Sequence, residues 1–588
     1  MRSSSGRNVH DGAGMNLELR PSPVEATPTA QRGAAGAERA WRTGQVIRPL
    51  ASSRFYDLAT GGILLALAVI ALFTFKDYAI SNDEGVQHHY GELIIAYYRS
   101  GFAVRDLFTF QNLYLYGGLF DIIAVALAHV TSVDPYDLRH ILCAMMGIGG
   151  IAASAATARL IAGPRAGLIA AVALALCGAW YGAMFNHTKD IPFAAAMMAA
   201  TLFLVRNARA LPAPRGLDVA AFGLFTGAAL GVRSLGLLLF VYLALAIILY
   251  LPWRDGRPAC AHHAARSALR MFPALALAYI VMILAWPWAA LSPLNPIRGL
   301  FAFSEFHYSI RTMFAGRIYQ MANVPRFYVP GYLLIRVPLI TLAGAALAVI
   351  WLFPWPFERN GRQRWRDVAM ISLAVIVPLA CQVVFHGPAF TGMRHFLFVL
   401  PPIATLAGVG FGGLLDALEQ HGRRLASGAA VALISACFLW EGALLVRLHP
   451  YESLSYNALV GGLQGAFRRY DMDYWFNSMP EAIHQLEAYL RTRKPLDPTQ
   501  PLKIYSVAVC GERLTFDRTV TLPQLKWDFR PRWQDSEFFI ATTQMNCDRD
   551  LDGEIVGTVE RFGVPIAVVK DRRAIMQRAT ASLASPPP

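Results

Sequence analysis

Charge is scarce in this chain. Only 16% of its 588 residues are Asp, Glu, Lys or Arg, where soluble domains carry about a quarter. That shortage excludes an ordinary soluble enzyme of this length. Cysteine is scarce as well: there are seven, with no C-x-x-C pair, so neither a thiolate zinc knuckle nor a dithiol redox motif is available. No P-loop or G-x-G-x-x-G glycine pattern accompanies a strand, so a soluble nucleotide donor has no visible cradle. Residues 1–54 contain no early apolar core, and no cleavable signal peptide is expected there. This stretch is polar, basic and rich in Ala, Pro and Gly, and is expected to be a disordered cytoplasmic tail.

What is abundant is apolar sequence. Hydrophobic residues make up 55% of the chain, and the mean hydropathy is +0.39. Apolar segments fall at 55–75, 111–131, 138–160, 166–185, 190–208, 217–233, 234–252, 269–291, 331–353, 366–386, 394–417 and 427–447. Most approach the roughly 20 residues that cross a bilayer. The net charge of +14 is read as basic cytoplasmic loops rather than a nucleic-acid surface; no nucleic-acid partner is expected. Loops 206–216, 253–270, 357–366 and 421–424 are arginine-rich, and the tail is basic too. All should lie on one side.

Parity then fixes which segment stays out of the count. Residues 76–110 and 186–189 must share the side opposite the tail, yet three apolar segments separate them. Arg159 and Arg165 mark the turn at 161–164 as cytoplasmic. The odd segment is 111–131, which carries Asp121, His129 and the Gly117–Gly118 pair and suits an interfacial or re-entrant helix. About 11 spans result, forming a transmembrane domain over 55–447 with the tail inside. Residues 448–588 are expected outside as a small α/β domain, with a helix at 481–493 and β-like runs at 502–509, 537–543 and 555–569. Cys510 and Cys547 adjoin two of these runs in an oxidising compartment, which predicts a disulfide.

The polar residues gather in the external loops. The first holds Asp83, Glu84, His88, His89, Glu92, Arg105 and Asp106; the second holds His187, Lys189 and Asp190. The third contains Glu305 and His307, and the fourth opens a span with Arg394 and His395. Arg233 sits at the outer junction of 217–233 and 234–252. Arginines at the outer ends of spans run against the usual bias, and anion binding accounts for them. Two plainer readings stand beside these. Asp83 and Asp190 also suit helix N-caps, and Lys189 and the arginines also suit snorkelling to membrane lipids. Carboxylates facing cations on one side of a membrane are what transfer from a lipid-linked phosphate requires: a base for the acceptor hydroxyl and cations for the departing phosphate.

Several motifs together resemble a known family. They are N-D-E-G (82–85), H-T-K-D-I-P-F (187–193), R-H-F-L-F-V-L-P-P (394–402), H-P-Y-E-S-L-S-Y-N-A-L-V-G-G (449–462) and D-Y-W (473–475). Over about 55–480 the chain resembles bacterial GT-C-fold membrane glycosyltransferases, the relatives of protein O-mannosyltransferases, the lipid A aminoarabinose transferase and rhizobial galacturonosyltransferases. The resemblance implies an inverting transferase at the periplasmic face of the bacterial inner membrane, using a polyprenyl-phosphate sugar donor. The acceptor would be a glycan, lipid or protein. It places the catalytic acid on Asp83, its neighbour on Glu84 and the second-loop acid on Asp190. His187, Lys189, Arg233, Glu305, His307, Arg394 and His395 are expected to bind substrate. Some members use a divalent metal, and no fixed ligand spacing here decides that point. A transporter or flippase of lipid-linked sugars is the alternative.

Overall fold

The computed structural model describes residues 50–304, 309–350, 361–493 and 503–584. The chain is a multi-pass helical membrane protein. Among the described residues seven helices are long and apolar enough to cross a bilayer: Ser53–Asp77, Pro135–Ala162, Asp190–Ala210, Trp253–Ala285, Arg362–Phe385, Arg394–Gln420 and Arg424–Leu448. Two bent pairs raise the number to nine. They are Pro164–Ala175 with Gly178–Asn186, and Tyr328–Arg336 with Leu339–Ile350.

The expected figure of about 11 is reached only if Gly216–Leu230 and Ser234–Tyr250 cross as well. Both are shorter apolar helices, and 15 residues of α-helix rise only about 22 Å. The break between them at Gly231–Arg233 shortens both. Of the tail expected over 1–54, residues 1–49 lie outside the described residues.

Segment 111–131 does not form a span. Its helical part, Leu119–Ala128, has 10 residues, about 15 Å of rise against a hydrocarbon core of roughly 30 Å. The glycine pair before it serves a close approach. A Cβ on Gly117 would stand 2.0 Å from the Gly231 carbonyl oxygen, and the Gly118 and Leu119 amides donate to Ala285 and Gly231 carbonyls at 2.9 Å each. The short helix is thereby pinned across the ends of two neighbouring helices, beside Arg233.

The helix Arg394–Gln420 is the centre of the bundle, with 94% of its most apolar stretch buried. Small residues let its neighbours close on it: a Cβ on Gly410 would meet the Gly344 carbonyl oxygen at 2.0 Å. Such approach is the main source of association where lipid offers no hydrophobic contrast.

All the loops discussed below open at the end of the bundle that carries the C-terminal domain. They include the amphipathic helix Glu84–Arg99 and an antiparallel hairpin of β1 (Arg311–Phe314) and β2 (Arg317–Gln320). The C-terminal domain holds a five-stranded sheet of β3 (Tyr505–Val509), β4 (Leu525–Asp528), β5 (Phe538–Thr542), β6 (Glu554–Arg561) and β7 (Val564–Asp571). Its order is β4-β3-β5-β7-β6, with β3 parallel to β4 and β5 and the remaining pairs antiparallel. The run expected as one strand at 555–569 is a hairpin, turned at Phe562–Gly563 where both residues have positive φ. β4 and the helix Arg513–Thr519 were not foreseen, because the alternation in L-K-W-D runs for only four residues. The helix Met479–Arg493 packs on the sheet as expected. Cys510 and Cys547 are joined in a disulfide.

Candidate active site

The second short loop sets the geometry. It ends at Lys189, and Asp190 begins the helix Asp190–Ala210. The Asp190 carboxylate is 3% exposed. Its Oδ2 accepts from Arg394 Nε at 2.8 Å and lies 3.6 Å from His187 Nδ1. Its Oδ1 accepts from Arg233. The other arm of Arg394 donates to Asp83. Four chain segments far apart in sequence thus meet in one ion cluster.

Asp83 occupies the N-cap position of the helix Glu84–Arg99, yet its side chain makes no cap bond. It is turned to Arg394 and remains 40% exposed. The plain-cap reading of this residue therefore does not describe its contacts. Glu84 points elsewhere. It is fully buried, with Oε2 accepting from the Ser81 amide at 2.7 Å and standing 3.2 Å from His140 Nε2. Its contacts are therefore with the Ser81 amide and His140 in the interior, and it takes no part in the Asp83–Arg394–Asp190 cluster. Consecutive residues of a helix diverge by about 100° around its axis, which is why two adjacent acids part company here.

Behind Glu84 lies a second charged layer absent from the sequence reading. Arg139 NH2 donates to Asp121 Oδ1 at 2.7 Å, to Gln87 at 3.1 Å and to Thr188 at 3.2 Å. This network fixes the first two loops against each other. Its sequence signal was available in D-L-R-H, two cations opening an apolar span. His88 and His89 pair with Glu92 on their own helix, at 3.7 and 2.9 Å.

Lys189 is 4% exposed, and its ammonium lies 4.3 Å from the centre of the Tyr116 ring. Among the described residues it has no hydrogen-bond or ion-pair partner. Burial pulls it down to about 8, against the opposing pull of Asp121 and Asp83. Arg233 and Arg394 thus share Asp190 and Asp83, while Lys189 stands beside them between Asp121 and Asp83. The sign of the resulting pH dependence follows. Between about pH 8 and 10.5 the folded protein holds fewer protons at Lys189 than the unfolded chain, so stability rises with pH across that window. Thermal melts of the purified protein against Lys189→Met should show this rise, at most about 3 kcal/mol, only where Lys189 is present.

Two aromatic side chains complete the cluster. Trp475 lies over the Arg394 guanidinium at 4.4 Å and donates its indole N–H to His187 Nε2 at 2.7 Å. This assigns the proton of His187 to Nδ1, facing Asp190, and burial lowers the His187 pKa in keeping with a neutral ring. Tyr474 stands 5.9 Å from the same guanidinium. The loop leading into Arg394 is held by Asp471, a fully buried carboxylate. It accepts from the Gly392 amide at 2.9 Å, Thr312 Oγ1 at 2.8 Å, the Met313 amide at 3.1 Å and Gln544 Nε2 at 3.0 Å. Asp471 therefore ties the β1–β2 hairpin, the Arg394 loop and the C-terminal domain together.

Arg394 and His395, adjacent in sequence, line different cavities. His395 and Arg233, with Ser234 and Gln382, form the polar part of a cavity of about 240 Å³ whose other walls include Tyr116, Phe303, Phe390 and Phe396. Arg394 lines a smaller one of about 60 Å³ with His187, Tyr474 and Trp475. Glu305 and His307 lie outside the described residues. For the divalent metal that the resemblance allows, no donor set is found among the described residues. Both Asp190 oxygens are taken by guanidinium groups, and among the described residues no three His, Cys, Asp or Glu side chains are grouped to hold an ion.

No family model matches the chain. No curated protein matches it either. Among solved structures, it is similar to ArnT from Cupriavidus metallidurans bound to undecaprenyl phosphate, at 17% identity and a TM-score of 0.44, over 89% of this chain and 98% of that one. The apo state of the same protein matches at 18% identity and a TM-score of 0.41, over 90% and 100%. The archaeal oligosaccharyltransferase AglB from Archaeoglobus fulgidus, in complex with an inhibitory peptide and a dolichol-phosphate, matches at 12% identity and a TM-score of 0.43, over 82% and 69%. Likeness at this level assigns no role to any residue.

Proposed function

We propose that the chain is a membrane glycosyltransferase that moves a sugar from a polyprenyl-phosphate donor to an acceptor hydroxyl, with inversion. One observation carries the reading: an apolar cavity with Arg233 in its wall adjoins an ion cluster in which Arg233 and Arg394 meet Asp190 and the partly exposed Asp83, with the buried Lys189 beside them. A phosphodiester with a long apolar tail suits such a place, since guanidinium forks match phosphate oxygens and the buried Lys189 has no hydrogen-bond or ion-pair partner among the described residues.

In the reaction the acceptor oxygen forms a bond to the sugar's anomeric carbon as the bond from that carbon to the phosphate oxygen breaks. The electron pair leaves with the phosphate, where Arg233, Arg394 and Lys189 stabilise it. Asp83 takes the acceptor's proton. His187, Trp475 and Asp471 act by position, holding the cluster and its loop. We place this chemistry on the periplasmic face of the bacterial inner membrane, with the N-terminus cytoplasmic and the C-terminal domain periplasmic. The arginine-rich loops 206–216 and 421–424, away from the site, support that orientation.

Purified protein in proteoliposomes, supplied with polyprenyl-phosphate sugars and a cell-envelope acceptor extract, should release polyprenyl phosphate and glycosylate the extract. A flippase would carry the sugar phosphate across the bilayer intact. Transbilayer movement with no cleavage would remove the transferase reading.

A further inference from the structure

A second cleft, of about 380 Å³, opens beside Asp83 on the side of the C-terminal domain. This is within the usual range of ligand sites, about 300–1,000 Å³. Its walls come from five parts of the chain, two of them the segments around Cys510 and Cys547. Asn82, the neighbour of Asp83, comes from the first loop, and Arg311 from β1. Trp527, Phe529, Arg530 and Trp533 come from β4 and the turn after it.

The cleft is fixed relative to Asp83. Thr515 Oγ1 donates to the Ile80 carbonyl at 2.8 Å, and a Cβ on Gly85 would touch Leu514 at 3.1 Å. The turn at Cys510–Glu512 is therefore held against the loop that presents Asp83. The Cys510–Cys547 disulfide, itself in the cleft wall, ties that turn to the segment bearing Asp550.

The lining has a definite chemistry. Phe529 is exposed and Trp527 half-buried, giving aromatic faces that water leaves poorly satisfied and that pack against the C–H faces of pyranose rings. Arg530 is 72% exposed, lies over Trp533 at 5.2 Å, and is 3.7 Å from Asp550. Arg311 is exposed, and among the described residues it has no ion-pair partner. Two guanidinium groups thus face one carboxylate, leaving one positive charge for a ligand anion. Asn82 and Asp550 are suited to sugar hydroxyls.

From this we infer that the cleft between Asn82 and the β4 turn is the acceptor subsite, and that it takes an acidic glycan, one bearing a carboxylate or phosphate on its sugar chain. The inference rests on the transferase reading for the word acceptor, but binding in the cleft does not. The apolar cavity is lined by His395, the neighbour of Arg394, and this cleft by Asn82, the neighbour of Asp83, so each adjoins one member of the Asp83–Arg394 pair.

The test is direct binding to the full-length protein in nanodiscs, read by tryptophan fluorescence and calorimetry. The probes are a hexuronic-acid trisaccharide and neutral maltotriose. The acidic probe should bind about tenfold more tightly. Arg530→Gln, at an exposed position where folding is undisturbed, should abolish that preference. Phe529→Ala, also exposed, should weaken both probes alike. Equal binding of the two probes, or binding indifferent to both substitutions, overturns the subsite. Acidic-glycan binding with these responses, in a protein that cleaves no polyprenyl-phosphate sugar, leaves the cleft standing and removes the transferase reading. Sugar transfer that proceeds with neither probe bound removes the cleft and leaves the transferase.

Discussion

Asp83→Asn should lower sugar transfer by about a hundred- to ten-thousand-fold, the usual worth of a positioned general base. Asn keeps the size and polarity of Asp but cannot take a proton. A positioned carboxylate suffices, because the acceptor hydroxyl becomes acidic only as the bond to phosphate breaks. In the resting site Asp83 is held by Arg394, which also holds Asp190. A donor phosphate arriving at Arg394 competes with Asp83 for the guanidinium and frees an oxygen for the acceptor. Donor binding by the Asn variant should therefore be near normal or slightly tighter, while turnover collapses. Glu84→Gln makes the opposite pair of changes. Its carboxylate serves the Ser81 amide and His140 in the interior, so melting temperature should fall more steeply than turnover. Turnover numbers and donor affinities from purified variants in proteoliposomes decide the matter. Because Asn is as good an N-cap as Asp, an active Asp83→Asn enzyme would return Asp83 to a capping role.

The parts of this site that were legible in the sequence share one property: they are charges where a membrane protein has reason to avoid them. Asp83, Asp190, Arg233 and Arg394 stand at the ends of apolar spans, and each has a partner in the cluster. The parity of basic loops likewise identified 111–131 as the segment that does not span, and the 10-residue helix there agrees. Direction was not legible. Nothing in the pair Asp83–Glu84 says that one side chain turns to Arg394 and the other into the interior, because that depends on where the helix Glu84–Arg99 lies against Arg139 and His140. The contacts of Tyr116 and of Trp475, although the latter stands in the D-Y-W motif, were not legible for a different reason. Aromatic rings near a membrane surface have an ordinary explanation as an interfacial belt, and only three-dimensional proximity shows one over Lys189 and the other over Arg394. The junction at Arg233 was legible as the boundary between apolar segments 217–233 and 234–252, but the shortness of the two helices that meet there was not.

The second large effect belongs to Asp190. Asp190→Asn should destabilise the protein by about 3–5 kcal/mol, the range for removing one partner of a buried ion pair. The reason is the number of groups that depend on one carboxylate. Arg233 and Arg394 both donate to it, and His187 presents Nδ1 to it at 3.6 Å. An Asn carbonyl can serve one guanidinium, but its NH2 then faces the other, so a buried positive charge is left without an acceptor. A capping role predicts a much smaller loss, since Asn caps as well as Asp. The two readings separate further in a double substitution. Asp190→Asn with Arg233→Met removes the uncompensated cation along with the carboxylate, and should recover part of the lost stability; residues in direct contact couple by about 0.5–3 kcal/mol. A simple cap would show no such recovery. Transfer activity should stay low in the double variant, because Arg233 is also a phosphate ligand in the proposed mechanism. Chemical denaturation of the four proteins of this cycle, followed by Trp475 fluorescence beside the cluster, gives the coupling. Additive losses across the cycle would show that Asp190 and Arg233 do not act as one unit.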